Sequence, residues 1–166
     1  MPDKFSNIAH IKVIEGGTDT LTYKKLETGV SLFEKIAWII SRIEYYWLGF
    51  TLPATGDGVI MALTSSNNPV ALSPEEVAII DMTKITRIDF GTAGNAHVVD
   101  YPIIRDFAQL PGGGMIVPPN PIYLAVLGIS QAGALTIECR IYYTTIVLKG
   151  DEFWELVEAR RIISST

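Results

Sequence analysis

The chain has 166 residues, a formal net charge of −5 and a single cysteine, Cys139. This length is typical of one domain, so we expect residues 1–166 to form a single unit. One thiol excludes an intrachain disulfide framework and a cysteine-based zinc cluster, and the 13 scattered Lys and Arg residues form no basic arm of the kind that binds nucleic acid.

The composition is apolar, with 48% hydrophobic residues, 19% charged residues and a mean hydropathy of +0.29. No window of about 20 residues is free of charge and proline, so we expect no membrane-spanning helix. The first residues lack the apolar core of a signal peptide. Obligate subunit interfaces resemble a protein core cut in half, so the excess of apolar residues predicts self-association.

Alternating hydrophobicity predicts strands over Ile8–Ile14 and Leu21–Leu26. The next run, from Val30 to Trp47, fits both a helical stripe and a strand. We divide it into a short helical turn near Ser31–Lys35 and a strand over Ile36–Leu48, and the choice between helix and strand at 31–40 stays open. A loop and a strand over residues 59–64 follow.

The segment Ser73-Pro-Glu-Glu76 combines a capping serine, a proline at the first helical position and a glutamate that completes a capping box. It predicts a short helix that ends near Ile80 or Met82. Residues 86–90 and 96–101 are predicted strands on either side of a Gly-containing turn.

A loop rich in glycine and proline, residues 110–121, precedes a predicted strand over Ile122–Ile129. The turn at 128–133 then leads into a long alternating strand over Ala134–Leu148, and we predict that these two strands form a hairpin. Asp151 caps a predicted helix that ends near Arg161. About eight strands and one or two short helices indicate an all-β, antiparallel two-sheet β-sandwich of jelly-roll type.

The sequence contains little that predicts chemistry. His10 and His97 are far apart, and no histidine spacing typical of a zinc site occurs. Gly112–Gly114 is followed by Met-Ile-Val-Pro-Pro, which cannot form the helix of a phosphate-binding loop. No Gly-x-Ser-x-Gly motif or distinctive carboxylate pair is present. We therefore expect no catalytic residues, no cofactor, no metal and no enzymatic activity.

Aromatic side chains are the remaining signal. The clusters Tyr45-Tyr46-Trp47 and Phe153-Trp154 place large rings on opposite sides of their elements. A two-sheet core and a covering helix could absorb all of these rings. Alternatively, they anchor a subunit contact, where Trp and Tyr are enriched, or form a platform that stacks against sugars. We select Trp47, Phe153 and Trp154 as predicted interface residues.

The layout resembles that of the single jelly-roll capsid (coat) proteins of small icosahedral viruses. The resemblance covers most of the chain and rests on the closing hairpin (121–126 into 137–143), the Gly/Pro-rich loop before it and the loop-helix insertion at 73–82. It implies a structural virion protein, assembled in the host cytoplasm, that forms a shell by lateral contacts with itself and has other virion proteins as further partners.

The chain departs from this family at its N-terminus. Many such capsid proteins carry an Arg/Lys-rich arm that neutralises the genome. In residues 1–8 of this chain, Lys4 is the only basic residue. The departure predicts a shell or decoration component without direct nucleic-acid contact, or neutralisation by other means. The alternative function is a carbohydrate- or ligand-binding β-sandwich module.

Overall fold

A computed structural model describes residues 7–30, 34–48, 54–76, 78–87, 102–118 and 121–161. Strands account for most of these residues. These residues form nine strands and one helix in chain order: β1 (Asn7–Ile14), β2 (Thr22–Lys25), β3 (Ile36–Leu48), β4 (Gly58–Thr64), β5 (Ile79–Thr86), β6 (Ile103–Asp106), β7 (Met115–Val117), β8 (Tyr123–Ile129), β9 (Thr136–Val147) and α1 (Gly150–Arg161).

The strands form two sheets. The first, here called the β1 sheet, has the order β1-β9-β3-β6, and β7 also pairs with β3. The second, the β2 sheet, has the order β2-β8-β4-β5. All neighbours are antiparallel. With β6 and β7 counted as one interrupted strand, the first strand pairs with the last, the second with the last but one, and so on inward. This is a jelly roll, so the predicted fold class is confirmed.

The core lies between the sheets and follows the period-2 pattern of the strands. On β9, Ile137, Cys139 and Ile141 point inward and are fully buried, as the sequence predicts. They meet inward residues of β4 and β8 in one cluster that includes Met61, Leu63, Leu124 and Val126. Burial raises the pKa of the Cys139 thiol well above its ordinary value, so this cysteine acts as a small hydrophobic residue.

Most predicted strands are confirmed, and β3 has the predicted limits, Ile36 and Leu48. The predicted helical turn before it lies partly outside the described residues; of the rest, Lys35 has a φ of 54° and its carbonyl accepts a hydrogen bond from the Leu148 amide. The predicted C-terminal helix is α1. Thr86 ends β5, and the remainder of the strand predicted at 86–90 and the strand predicted at 96–101 lie outside the described residues.

The helix predicted after Ser73 is wrong. The Ser73 hydroxyl accepts a hydrogen bond from the Glu75 amide at 3.4 Å, and its carbonyl accepts one from the Glu76 amide at 3.0 Å, but these bonds close a turn. The chain then enters β5 at Ile79. The following residues are rich in β-branched side chains, and pairing along β4 overrides the local capping signal.

The predicted hairpin between the last two strands is also wrong. β8 pairs with β2 and β4, whereas β9 pairs with β1 and β3, so the two strands lie in different sheets. The chain crosses between sheets after Ser130, which has a φ of 56°. A jelly roll requires this crossing, since its last two strands belong to different sheets.

Candidate interaction surface

Polar side chains collect on the outer face of the β1 sheet. The strand register places outward-pointing residues of β1, β9 and β3 in rows across this face. One row contains His10, Arg140 and Glu44, and the next contains Lys12, Glu138 and Tyr46. Because directly opposed side chains interact across neighbouring strands, this face is a continuous array of charges and tyrosines.

Glu44 is the centre of this array. Its side chain is 5% exposed, and its carboxylate accepts hydrogen bonds from the hydroxyls of Tyr46 at 2.7 Å and Tyr142 at 3.2 Å. It also forms an ion pair with Arg42. Burial raises the pKa of Glu44, but the two hydroxyls and the guanidinium outweigh burial and hold this pKa below its ordinary value. The ionised carboxylate therefore organises the face.

Two arginines lie against the tyrosine rings of the array. The Arg42 guanidinium carbon is 5.5 Å from the Tyr142 ring centroid, and that of Arg140 is 5.1 Å from the Tyr46 centroid. These distances are typical of cation–π contacts. Each ring therefore already has a cation against one face.

Glu138 lies at the β1 side of the array. Its carboxylate is 3.4 Å from Lys12 Nζ and 3.4 Å from His10 Nε2. Burial raises the pKa of Glu138. The hydrogen bonds from Lys12 and His10 and the charge of Lys12 together lower it by more, so the pKa lies below its ordinary value. This carboxylate neutralises the outer face of β1.

Exposed isoleucines and a leucine surround the polar array. Ile8 is 59% exposed, Ile14 62%, Leu48 46% and Ile104 48%. Ile14 and Leu48 flank Thr136 in one row, Ile8 lies opposite Tyr142, and Ile104 lies opposite Glu44. The exposed apolar side chains therefore lie at the margins of the polar array.

A groove of about 440 Å³ lies between β1 and β2, which are edge strands of the two different sheets. Lys12, Val13 and Ile14 line it from β1, and Thr22, Tyr23 and Lys24 line it from β2. The Tyr23 hydroxyl donates a hydrogen bond to the Pro69 carbonyl at 2.7 Å. The groove joins the free edge of β1 to the neighbouring sheet.

A second polar cluster lies inside the sandwich. Asp81, on β5, is 7% exposed; its carboxylate accepts a hydrogen bond from the Tyr45 hydroxyl at 3.0 Å and pairs with Arg105 Nε at 3.1 Å. Burial raises the pKa of Asp81, and the lowering by Arg105 and Tyr45 does not cancel this rise. Burial and the neighbouring Asp81 raise the Tyr45 pKa well above its ordinary value. The cluster links the two sheets.

A buried carboxylate fastens the crossing between β8 and β9. Glu15 is 3% exposed and accepts hydrogen bonds from the amides of Thr20, Gly128 and Leu135 at 3.0, 2.7 and 3.0 Å. These three backbone donors satisfy the carboxylate, so Glu15 has a structural role. A Cβ at position 128 would lie 2.9 Å from Asp19 Oδ1, so a larger residue here would require that side chain to shift.

The three predicted interface residues have different environments. Trp47 is partly buried and packs against the core between the sheets. Phe153 is fully buried within the chain, so it holds α1 in place and presents no surface to a partner in this conformation. Trp154 is 41% exposed and lies edge-on to Phe153, with ring centroids 5.7 Å apart. Trp154 alone of the three keeps a large exposed surface.

Sequence reasoning missed the array around Glu44. Its signal was the shared parity of Arg42, Glu44 and Tyr46 on one strand and of Arg140 and Tyr142 on another. The register that brings these strands together is not encoded locally.

Among the described residues, no three His, Cys, Asp or Glu side chains come together in a way that could hold a metal ion. No helix in the same part of the chain is long and apolar enough to cross a membrane. Comparison with known proteins found no family model that matches the chain and no significant match to a curated protein.

Proposed function

We propose that this chain is a structural protein, a jelly-roll capsid subunit that self-assembles into an icosahedral shell. The observation that carries the proposal is the unequal exposure of apolar side chains on the two sheets. Nine large hydrophobic residues are exposed among those described: Ile8, Ile14, Leu48, Val70, Ile104, Ile116, Leu110, Val147 and Trp154. Six of them belong to strands of the β1 sheet, and none belongs to a strand of the β2 sheet.

The β2 sheet covers its outer face with its own chain. Ile60, Ala62 and Ala125 are buried there beneath Leu72, which comes from the loop between β4 and β5. On the β1 sheet, by contrast, Ile8, Ile14, Leu48 and Ile104 remain exposed. Single exposed apolar residues are common on monomers, but a concentration on one sheet supports an interface with other copies.

Light scattering and negative-stain electron microscopy of the purified full chain test the proposal. We expect large species of uniform size, because lateral contacts between identical subunits close into a shell. A chain that stays monomeric at high concentration would overturn it.

A matched pair of variants connects assembly to the β1 sheet. Replacing Ile14 and Leu48 together with Lys adds charge to this sheet, whereas Val70→Lys adds charge at a loop residue that is 93% exposed. We expect the double variant to stop assembly and Val70→Lys to leave it unchanged, with both variants retaining the wild-type circular dichroism spectrum. Assembly that is unaffected by the double variant would contradict the role of this sheet.

A second candidate function is carbohydrate binding. It is favoured by Tyr46 and Tyr142, whose rings lie on one outer face among polar side chains, as a sugar platform requires. Against it, Arg140 and Arg42 already lie over these rings. A glycan array, followed by comparison of wild type with Tyr142→Ala, tests it; absence of binding across the array would reject it.

A further inference from the structure

The outer edge of β1 has no hydrogen-bonding partner within the described residues. The Glu15 amide donates to the Leu135 carbonyl at 2.8 Å, and this pair directly follows Ile14 and Thr136, the last partners in the β1–β9 register. In antiparallel sheets, hydrogen-bonded pairs alternate with non-hydrogen-bonded pairs. The odd-numbered residues of β1 therefore bond to β9, and Ile8, His10, Lys12 and Ile14 direct their amides and carbonyls outward.

The other sheet edges carry features that block strand addition. β2 is four residues long and ends in Lys24-Lys25. β6 and β7 are four and three residues long and are separated by a Gly/Pro-rich loop. β5 matches β1 in length, but its pairing with β4 is irregular near Ile80, and it carries the inward-pointing Asp81. Short strands, edge lysines, bulges and inward charges are how proteins prevent edge pairing.

β1 lacks most of these protections. It pairs with β9 over eight consecutive residues without a register shift, and it contains neither Pro nor Gly. Its exposed apolar side chains, Ile8 and Ile14, lie near its two ends. An uninterrupted edge with apolar ends is suited to receive another strand.

We propose that β1 pairs antiparallel with β1 of a second copy of this chain, about a two-fold axis at Ile11. This register places Ile8 opposite Ile14 of the second copy and His10 opposite Lys12 of the second copy. All four outward-pointing residues of each strand then form hydrogen-bonded pairs. The exposed isoleucines cover each other, so the sequence of β1 is complementary to itself.

Charge also suits this pairing. Each Lys12 is already 3.4 Å from Glu138 of its own chain, so the two copies bring equal numbers of lysines and glutamates to the new seam. Inward-pointing side chains of the added strand extend over the groove between β1 and β2. The joined sheets form one continuous sheet with no free edge at this position.

This inference deepens the proposed function, because it names the contact between two subunits. A cysteine pair tests it: Ile8→Cys combined with Ile14→Cys, in the full chain under mild oxidation. Hydrogen-bonded partners lie about 5.5 Å apart between Cα atoms, which a disulfide can span. Residues 8 and 14 of one strand are about 20 Å apart and cannot be bridged.

We expect the double-cysteine variant to give a covalent dimer on a non-reducing gel, and each single-cysteine variant to stay monomeric on the same gel. Cys139 is fully buried and does not contribute. Oligomers or particles that form without cross-linking through this cysteine pair would overturn the inference and leave the proposed function standing. A cross-linked dimer that never forms particles would support the inference and contradict the proposed shell.

Proline provides an independent test in the otherwise wild-type chain. His10→Pro removes an outward-pointing amide that the β9 pairing does not use, whereas His10→Ala keeps that amide. By symmetry the proline removes two intersubunit hydrogen bonds, so we expect the dimer dissociation constant to rise at least about tenfold. The alanine variant should stay within about threefold of wild type. Equal affinities for a folded proline variant and wild type would overturn the pairing, and if the proline variant does not fold, the cysteine pair decides.

Discussion

Glu44 and Asp81 have partners of the same kind, yet their pKa values move in opposite directions. Each carboxylate accepts a hydrogen bond from a tyrosine hydroxyl and forms an ion pair with an arginine. The pKa of Glu44 lies below its ordinary value and that of Asp81 lies above it. Their tyrosine partners, Tyr46 and Tyr45, are consecutive residues of β3 that point to opposite faces of the sheet.

The difference between the two sites is the balance between donors and desolvation. Glu44 lies on the outer face. It accepts hydrogen bonds from two tyrosine hydroxyls and also forms an ion pair with Arg42. Asp81 lies between the sheets with one hydroxyl donor. Burial is the largest single influence on both pKa values, but only at Glu44 do the hydrogen bonds and the arginine together outweigh it. A buried ion pair contributes to stability only when hydrogen bonds offset the cost of desolvation. Glu44 should therefore stabilise the fold as an ion, whereas Asp81 should not.

Replacement of Arg105 by Met should give the largest effect. It leaves the Asp81 carboxylate buried without a counter-ion, and we expect a loss of about 2 kcal/mol in unfolding free energy at pH 7, below the usual cost because Arg105 is itself 47% exposed. Since the folded-state pKa of Asp81 is raised, the deficit appears as the pH rises through that value and is small near pH 3. Urea unfolding at both pH values measures it. Asp81→Asn added to the same variant should restore stability, and a deficit that persists in the double variant would contradict this role.

Tyr45→Phe should come next. It removes the 3.0 Å hydrogen bond to Asp81 while keeping the ring in the core, and we expect a loss of about 1–2 kcal/mol. Thermal unfolding of a double-mutant cycle with Asp81→Asn isolates the pairwise contribution. Additive effects of the two substitutions would show that the hydroxyl and carboxylate are not coupled.

Glu44→Gln should have a smaller effect, which also decreases in acid. At pH 7 we expect a loss of about 1 kcal/mol, since the ion pair with Arg42 and the charge-assisted bonds weaken. The folded-state pKa of Glu44 is lowered, so its contribution is present above the ordinary glutamate pKa and is lost as the pH falls through the folded value. Denaturant unfolding between pH 7 and pH 3 should show the gap from wild type closing. Glu75→Gln, at an exposed position, serves as the control; a gap that widens in acid would refute the argument.

Glu138→Gln should have the smallest effect. The pairs with Lys12 and His10 lie at 3.4 Å on partly exposed side chains, and exposed ion pairs contribute about 0.5 kcal/mol or less. Any loss should vanish in about 1 M salt, where the Debye length falls to about 3 Å. A salt-independent loss would mean that the carboxylate acts through packing.

The strands that alternate over long stretches could be predicted from the sequence, whereas β6 and β7 could not. β3 and β9 are 13 and 12 residues long, and their dry faces are evident from Ile43, Tyr45, Ile137 and Ile141. β6 and β7 have only four and three residues, too few to establish a period. At 73–76 the capping signal is real, but it forms a turn because the residues after it gain more from pairing with β4.

The array around Glu44 could not be predicted from the sequence, because no local pattern contains the register that forms it. Tyr142 reaches Glu44 across 98 positions of sequence, and this contact depends on the register between β9 and β3. The same limit explains the wrong hairpin. Turn residues after Ile129 show that the chain bends, but not whether the strands on either side pair or separate into two sheets.

The strand order has a consequence for synthesis of the chain. β9 lies between β1 and β3, and β8 lies between β2 and β4, so each sheet receives one of its two inner strands only after the other strands have been made. Until these strands leave the ribosome, β1 and β2 have no neighbours within their sheets. Completion of both sheets must therefore wait for β8 and β9, and the high sequence separation of these contacts predicts slow folding. During that interval the unpaired N-terminal strands need protection from association with other nascent chains.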